Sequence, residues 1–174
     1  MPSVKVGWFV LVLVVMSTGC DRVARKDVVQ ESQTDAVCLK RADVKLIAAA
    51  LIRNTAAMET AINSGADVNA TIDELGPSIV VTTLGDNYGG LQLLLDRGAN
   101  INAEDSEGYT ALITASLHNN PNIVRLLLSK GADVNAPSNL IVNGKKAGFT
   151  PLTIAKEKGH HEIEKLLNEA GAKE

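Results

Sequence analysis

The chain has 174 residues, a formal net charge of −3 and an aromatic content of 3%. This length fits one domain with additional segments. Single-stranded nucleic acids need exposed aromatic rings to stack on, and phosphate backbones need clustered lysine and arginine. The composition therefore argues against DNA or RNA as a partner.

Residues 1–19 differ in character from the rest of the chain. Lys5 precedes an apolar run over residues 6–16, and Ser17, Thr18 and Gly19 follow it. This run is too short for an ordinary membrane-spanning helix, but it fits the central region of a secretory signal peptide. We predict that residues 1–19 are a signal peptide that is removed.

Cys20 directly follows these small residues, and the arrangement resembles the bacterial lipoprotein box. The resemblance implies that the Cys20 thiol receives a lipid and anchors the protein to a membrane on the periplasmic side. That family usually has leucine where this chain has Ser17, so plain secretion and an uncleaved anchor remain alternatives. Asp21 resembles the inner-membrane retention signal of many enteric bacteria, which slightly favours the inner membrane.

Residues 20–38 are polar, carry charges of both signs and lack a sustained helical period. We interpret them as a flexible tether with a reach of roughly 20–25 Å. Cys38 is a lone thiol in an oxidising compartment if Cys20 carries lipid. If Cys20 is not lipidated, the two cysteines are candidates for a local disulfide.

Three similar hexapeptides recur at intervals of 33 residues in the rest of the chain. They are GADVNA at 65–70, GANINA at 98–103 and GADVNA at 131–136. A fixed period of this length indicates a stacked-repeat architecture. In such an architecture each unit buries its apolar face only against its neighbours.

With this period and hexapeptide, residues 39–174 resemble the ankyrin-repeat family. Together with the N-terminal segment, the chain resembles the bacterial secreted or lipoprotein members of that family. The resemblance implies an all-α repeat solenoid, in which each unit has two antiparallel helices and a β-hairpin finger. We place four repeats at about 39–70, 71–103, 104–136 and 137–174. The resemblance also implies binding of a protein partner rather than catalysis. We expect the protein to be a monomer.

The repeats differ in regularity. In repeat one we predict an inner helix over 43–52 and an outer helix over 56–64. In repeat three, Thr110 is the predicted N-cap of the inner helix and Pro121 starts the outer helix. In repeat two, three glycines within 85–90 predict a loose turn between the helices. A phosphate-binding loop is disfavoured, because no Lys-Ser/Thr follows.

Repeat four contains an insertion. Gly131 and Gly171 are 40 residues apart, compared with the period of 33. The extra residues fall within 137–147, where Asn143 and Gly144 follow the apolar run 140–142. Asn-Gly after β-branched residues predicts a tight hairpin. Apolar residues in a surface segment favour an interaction site, with packing against the repeats and a neutral loop as alternatives.

No catalytic or metal-binding arrangement is apparent. The histidines are His118, His160 and His161, and they show no zinc-ligand spacing with the cysteines. The family's Gly-His position implies that His160, which follows Gly159, caps backbone groups between two helices. We interpret the acidic residues near 73 and 105 as solvated finger tips rather than a carboxylate pair or a calcium site. We therefore expect no enzyme activity, cofactor or metal.

The favoured function is a membrane-tethered periplasmic protein that binds a protein partner through its concave face and finger loops. It would act as an immunity protein or as an accessory to a peroxide-detoxifying enzyme. The predicted contact residues are Asp73, Glu74, Glu104, Asp105, Glu107, Tyr109, Leu117, His118, Leu140, Ile141, Lys145, Lys146, Glu157 and Lys158. The alternatives are a metal-binding or enzymatic lipoprotein on a repeat scaffold and a cytoplasmic ankyrin adaptor with an N-terminal anchor.

Overall fold

The computed structural model describes residues 41–72, 75–139, 141–142, 145–146 and 148–173. Within these ranges the chain forms eight helices in four antiparallel pairs. The inner helices are α1 (Arg41–Leu51), α3 (Ser78–Leu84), α5 (Ala111–Leu117) and α7 (Pro151–Lys158), and the outer helices are α2 (Thr55–Asn63), α4 (Tyr88–Asp96), α6 (Pro121–Ser129) and α8 (His161–Glu169). Helices of each layer pack side by side in chain order, which confirms the predicted repeat solenoid.

In the described parts of the chain, two short antiparallel strand pairs lie between repeats. Strand β1 (Thr71–Ile72) pairs with β2 (Gly76–Pro77), and β3 (Ile141–Val142) pairs with β4 (Lys145–Lys146). The predicted signal peptide and tether, with Cys20 and Cys38, lie outside the described residues. Among the helices of the described ranges, none is both long enough and apolar enough to cross a membrane.

Apolar side chains between the two layers form one continuous core. Leu46, Ile79 and Leu112 follow the 33-residue period, and Leu152 takes the same position after the insertion. All four are at most 1% exposed. Burying a side chain of this size contributes about 1.5–3 kcal/mol. Each repeat therefore gains stability from contact with the next one.

An asparagine caps each of the first three outer helices. The side chains of Asn54, Asn87 and Asn120 each accept a hydrogen bond from the backbone N–H three residues further on. His160 occupies this position in repeat four, and its Nδ1 lies 2.8 Å from the Ser116 carbonyl oxygen. A carbonyl can only accept, so Nδ1 is the donor. The prediction that His160 caps a backbone group is confirmed.

The polar residues of the hexapeptides form a chain of hydrogen bonds along the stack, here called the hexapeptide ladder. Within a hexapeptide, the third side chain accepts from the fifth N–H, as between Asp133 and Asn135 at 2.9 Å. Between repeats, the fifth side chain accepts from the third N–H of the next hexapeptide. Asn69 bonds Asn100 in this way at 2.7 Å, and Asn102 bonds Asp133 at 2.9 Å. The ladder therefore fixes the register of neighbouring repeats.

Residues outside the three hexapeptides continue the ladder at both ends. Oδ1 of Asp43, in the first turn of α1, accepts from the Asp67 N–H at 2.7 Å. At the other end, the Asn135 side chain accepts from the Lys173 N–H at 2.8 Å. Asp43 is only 8% exposed. Its carboxylate accepts the hydrogen bond that the fifth-position asparagine of a preceding repeat would accept. A buried carboxylate needs such a partner, because burial without a hydrogen bond is costly.

Ion pairs also join neighbouring outer helices. They are Arg97–Glu59 at 3.1 Å, Lys130–Asp96 at 2.9 Å and Arg125–Glu162 at 2.9 Å. Hydrogen bonds from Lys130 and Gln92 lower the pKa of Asp96. Solvent and salt weaken exposed pairs of this kind, so the apolar core contributes more to the contact between repeats.

The link between α3 and α4 differs from the prediction. Only residues 85–87 separate the two helices, and Gly89 and Gly90 lie inside the first turn of α4. A β-carbon added at Gly90 would lie 2.7 Å from Met58 Sδ and 2.5 Å from Asn87 Nδ2. The predicted loose turn is therefore wrong, because glycine at position 90 lets α4 pack closely on Met58.

Replacing Gly90 with alanine is expected to lower the free energy of unfolding by about 1–3 kcal/mol, the usual cost of overpacking. Helix propensity alone predicts the opposite sign, a gain of about 1 kcal/mol. Denaturant unfolding of the natural chain and Gly90→Ala measures which effect is larger. A more stable variant would contradict the close packing of α4 on Met58.

Candidate protein-binding face

Side chains at the ends of the inner helices form a row across the stack. Leu51, Leu84 and Leu117 are spaced by 33 residues, and Glu157 holds the same position after the insertion. Leu84 is 46% exposed, Leu51 and Leu117 are half-buried, and Glu157 is exposed. Packed helices lie about 8–10 Å apart, so these four residues, the helix-end row, present contact groups at roughly that spacing.

The next residue along the chain extends the row. Ile52 is 61% exposed, and His118 and Lys158 are also exposed. The His118 Nδ1 lies 2.9 Å from the Thr114 carbonyl oxygen, so this nitrogen is the donor. The second ring nitrogen has no hydrogen-bond partner among the described residues. The structure thus brings the predicted residues Leu117, His118, Glu157 and Lys158 to neighbouring helix ends.

The finger of repeat three, residues 104–109, is held by the Asp105 side chain. Its Oδ1 accepts from the N–H groups of Glu107 at 2.9 Å and Tyr109 at 2.8 Å. The Asp105 N–H donates to the Tyr109 carbonyl oxygen at 3.1 Å. The Asp105 carboxylate is therefore engaged inside the finger, whereas Glu104 and Glu107 are exposed. A contact between these three acidic residues and a partner stays a prediction.

The base of the insertion is attached to this finger. The Asn139 N–H donates to the Glu107 carbonyl oxygen at 3.1 Å, and Nδ2 of Asn139 donates to Glu104 Oε2 at 3.0 Å. Gly108 has a φ of +76°, and a β-carbon there would lie 2.7 Å from Asn139 Cβ. Glycine is thus required both by the backbone and by the close approach.

The insertion itself forms the predicted hairpin. Ile141 is opposite Lys146 and Val142 is opposite Lys145, which confirms a two-residue connection. The Ser138 N–H donates to the Phe149 carbonyl oxygen at 2.8 Å and closes the base. Leu140, Asn143 and Gly144 lie outside the described residues. That Leu140, Ile141, Lys145 and Lys146 contact a partner remains a prediction.

The finger formed by β1 and β2 packs against the finger of repeat three. Gly76, in β2, has a φ of +82°, and an added β-carbon would lie 2.8 Å from Asp105 Cβ. The predicted contact residues Asp73 and Glu74, between β1 and β2, lie outside the described residues. The described parts of the two fingers and the insertion base therefore form a connected ridge.

Tyr109 connects the finger of repeat three to the inner layer and is half-buried. Burial is the main cause that raises the pKa of its phenol above 10.0, and the carboxylates of Glu107 and Asp105 raise the pKa further. Both causes disfavour the ionised form of the Tyr109 phenol beside the acidic finger. The phenol therefore stays a neutral hydrogen-bonding group throughout the physiological range.

Two features of this face were not predicted from the sequence. Leu84 and Ile52 were not among the expected contact residues, although the 33-residue register aligns Leu84 with Leu117. The ladder was also missed. The sequence feature that could have revealed the ladder is the asparagine at the fifth position of each hexapeptide, because packing of an apolar core does not require asparagine there.

The raised pKa of Tyr109 predicts a loss of stability in alkali. Because the pKa of Tyr109 is higher in the folded than in the unfolded protein, the neutral phenol contributes its full stability below the unfolded pKa, about 10. This stability is lost as pH rises through the folded-state pKa. Absorbance titration in a Tyr88→Phe background should give a Tyr109 midpoint above 10.0, and Glu107→Gln should move the midpoint downward. A midpoint at or below 10.0 would contradict the burial of the phenol.

Comparison with known proteins agrees with this architecture. A family model of ankyrin repeats (3 copies) matches residues 46–138 and, in a second overlapping match, residues 88–174. No curated protein matches the chain. The matches cover more than half of the sequence and coincide with the four helix pairs. The chain therefore belongs to the ankyrin-repeat family and has the architecture of a protein-interaction scaffold.

Proposed function

We propose that this ankyrin-repeat protein binds a protein partner with the helix-end row and the neighbouring fingers. The observation that carries the proposal is the exposure of Leu84, 46%, in line with Leu117 and His118 on the next helix. Apolar side chains at fixed spacing beside polar residues are typical of an interaction site. The alignment results from the repeat register rather than from one loop.

The hydrogen bonds that hold the finger of repeat three support tight binding. The finger of repeat three is bonded internally through Asp105 and externally through Asn139. A preformed surface loses little conformational entropy on association, so more of the contact energy appears as affinity. Leu84 and Leu117 are the candidate anchors, and Glu104 and Glu107 form a charged edge.

The charge of this edge favours a partner with a basic patch. Glu104 and Glu107 are exposed, and the whole chain carries a net charge of −3. Opposite charges steer association and raise the on-rate. Two roles remain open under this proposal: an immunity protein that blocks a toxic enzyme, and an accessory to a peroxide-detoxifying enzyme. Inhibition in a one-to-one complex would favour the first role, and a stabilised, active enzyme the second.

We also propose that the protein acts in the periplasm, tethered to a membrane by lipid on Cys20, with the inner membrane slightly favoured. The support is the sequence alone: the apolar run 6–16 and the small residues before Cys20. The two alternatives are a metal-binding or enzymatic lipoprotein and a cytoplasmic adaptor. Stoichiometric zinc or calcium in the purified protein would favour the metal-binding alternative.

A photo-crosslinking amino acid at position 84 or 117 should yield one discrete adduct with the partner in cells. The matched control is position 168 on α8, which is also exposed but lies in the outer layer. Adducts are detected by a mass shift and identified by mass spectrometry. No adduct at positions 84 and 117, or the same adducts at position 168, would exclude the helix-end row as the binding face.

Cys20→Ser is expected to move the protein from the membrane fraction to the soluble periplasmic fraction, because the variant cannot be acylated. Cys38→Ser is the control and should stay with the membrane. Cell fractionation with an antibody to the repeats measures both. A full-length Cys20→Ser protein that remains on the membrane would show that residues 1–19 act as an uncleaved anchor.

A further inference from the structure

A groove lies in the outer layer between α4 and α6, and its end at Asp86 is two residues from Leu84 of the helix-end row. Its volume is about 550 Å³. The residues that matter for its chemistry are Asp86, Tyr88, Asn122, Ile123, Arg125 and Leu126. Tyr88 is 50% exposed, whereas Ile123 and Leu126 are buried and form an apolar floor. The groove therefore combines an aromatic wall, an apolar floor and charged groups.

The two glycines of α4 face repeat one rather than the groove. Added β-carbons would lie 3.3 Å from Thr55 Oγ1 at Gly89 and 2.7 Å from Met58 Sδ at Gly90, so both glycines face α2. They let the start of α4 lie close to repeat one. On its other side, α4 packs less extensively on α6 than the other neighbouring outer helices pack on each other. Space remains beside the Tyr88 ring.

The charges in the groove leave one carboxylate without a cation. Arg125 pairs with Glu162 at 2.9 Å. Asp86 accepts a hydrogen bond from the neutral amide of Asn120. In the part of the chain that the structure describes, no lysine, arginine or histidine pairs with Asp86. The groove thus retains one uncompensated negative charge beside an exposed aromatic ring.

We propose that this groove receives an arginine side chain of a protein partner. The guanidinium would pair with the Asp86 carboxylate and stack on the Tyr88 ring, while the aliphatic stem lies in the groove that Ile123 and Leu126 line. A planar guanidinium both stacks on aromatic faces and binds carboxylates with two donors, which an ammonium cannot do. The stem of arginine also packs well on apolar surface.

The test uses the full chain in non-ionic detergent and the peptide acetyl-Ala-Arg-Ala-amide, followed by two-dimensional NMR at about 0.15 M salt. We expect saturable shifts at the backbone amides of Tyr88, Gly89, Asn122 and Leu126. The matched peptide carries citrulline, whose urea group is neutral and otherwise similar in shape. It should bind about fivefold more weakly, the effect of losing about 1 kcal/mol.

Two variants separate the groove from nonspecific attraction to an acidic protein. Asp86→Asn removes the charge but suits the φ of +53° at this position, since asparagine tolerates the left-handed conformation. Tyr88→Ala removes the ring. Each should weaken the arginine-dependent shifts by about fivefold and leave shifts at the fingers unchanged. Equal binding of the citrulline peptide, full binding to Asp86→Asn, or shifts confined to the fingers would overturn the proposal.

Discussion

The hexapeptide ladder is the constraint on which the alignment of the stack depends. The backbone N–H groups of Asn100 and Asp133 lie between repeats and have no partner in a helix or sheet. The side chains of Asn69 and Asn102 satisfy these donors across the repeat boundary. Hydrophobic contacts hold the repeats together without fixing direction, whereas these bonds specify one register.

The proposed binding face follows from this register. Each repeat is displaced from the one before it by the same offset. Leu84 and Leu117 therefore occupy equivalent helix ends, and the fingers lie next to each other. The insertion does not disturb the ladder. The Lys173 N–H still reaches Asn135 across 38 residues, compared with the 31 residues between Asn102 and Asp133. The insertion absorbs the difference, so the helices of repeat four stay in line with the stack.

Features set by local sequence could be predicted. Thr110 caps α5 by accepting from the Ile113 N–H, and Pro121 starts α6, because both roles depend on residues within one helical turn. The pairing of residues 141–142 with residues 145–146 agrees in the same way with the Asn-Gly sequence between them. The number and order of the helices followed from the 33-residue period and the family resemblance.

Features that depend on neighbouring repeats could not be predicted. Helix propensity alone does not explain Gly90. The Met58 side chain, 32 residues earlier in the chain, leaves no room for a β-carbon at this position. The ladder joins side chains and backbone groups 31 residues apart, so no local pattern indicates its partners. Tyr88 and Asp86 belong to different structural elements from Ile123, and only packing brings these residues to one groove.

The most direct test of the ladder is the stability of Asn102→Ala, measured by denaturant unfolding beside Asn168→Ala. Both asparagines are exposed, but only Asn102 bonds the next repeat. We expect a loss of about 0.5–1.5 kcal/mol for Asn102→Ala, the net worth of one hydrogen bond, and a change within about 0.5 kcal/mol for Asn168→Ala. Equal stabilities of the two variants would contradict the claim that the ladder fixes the stack.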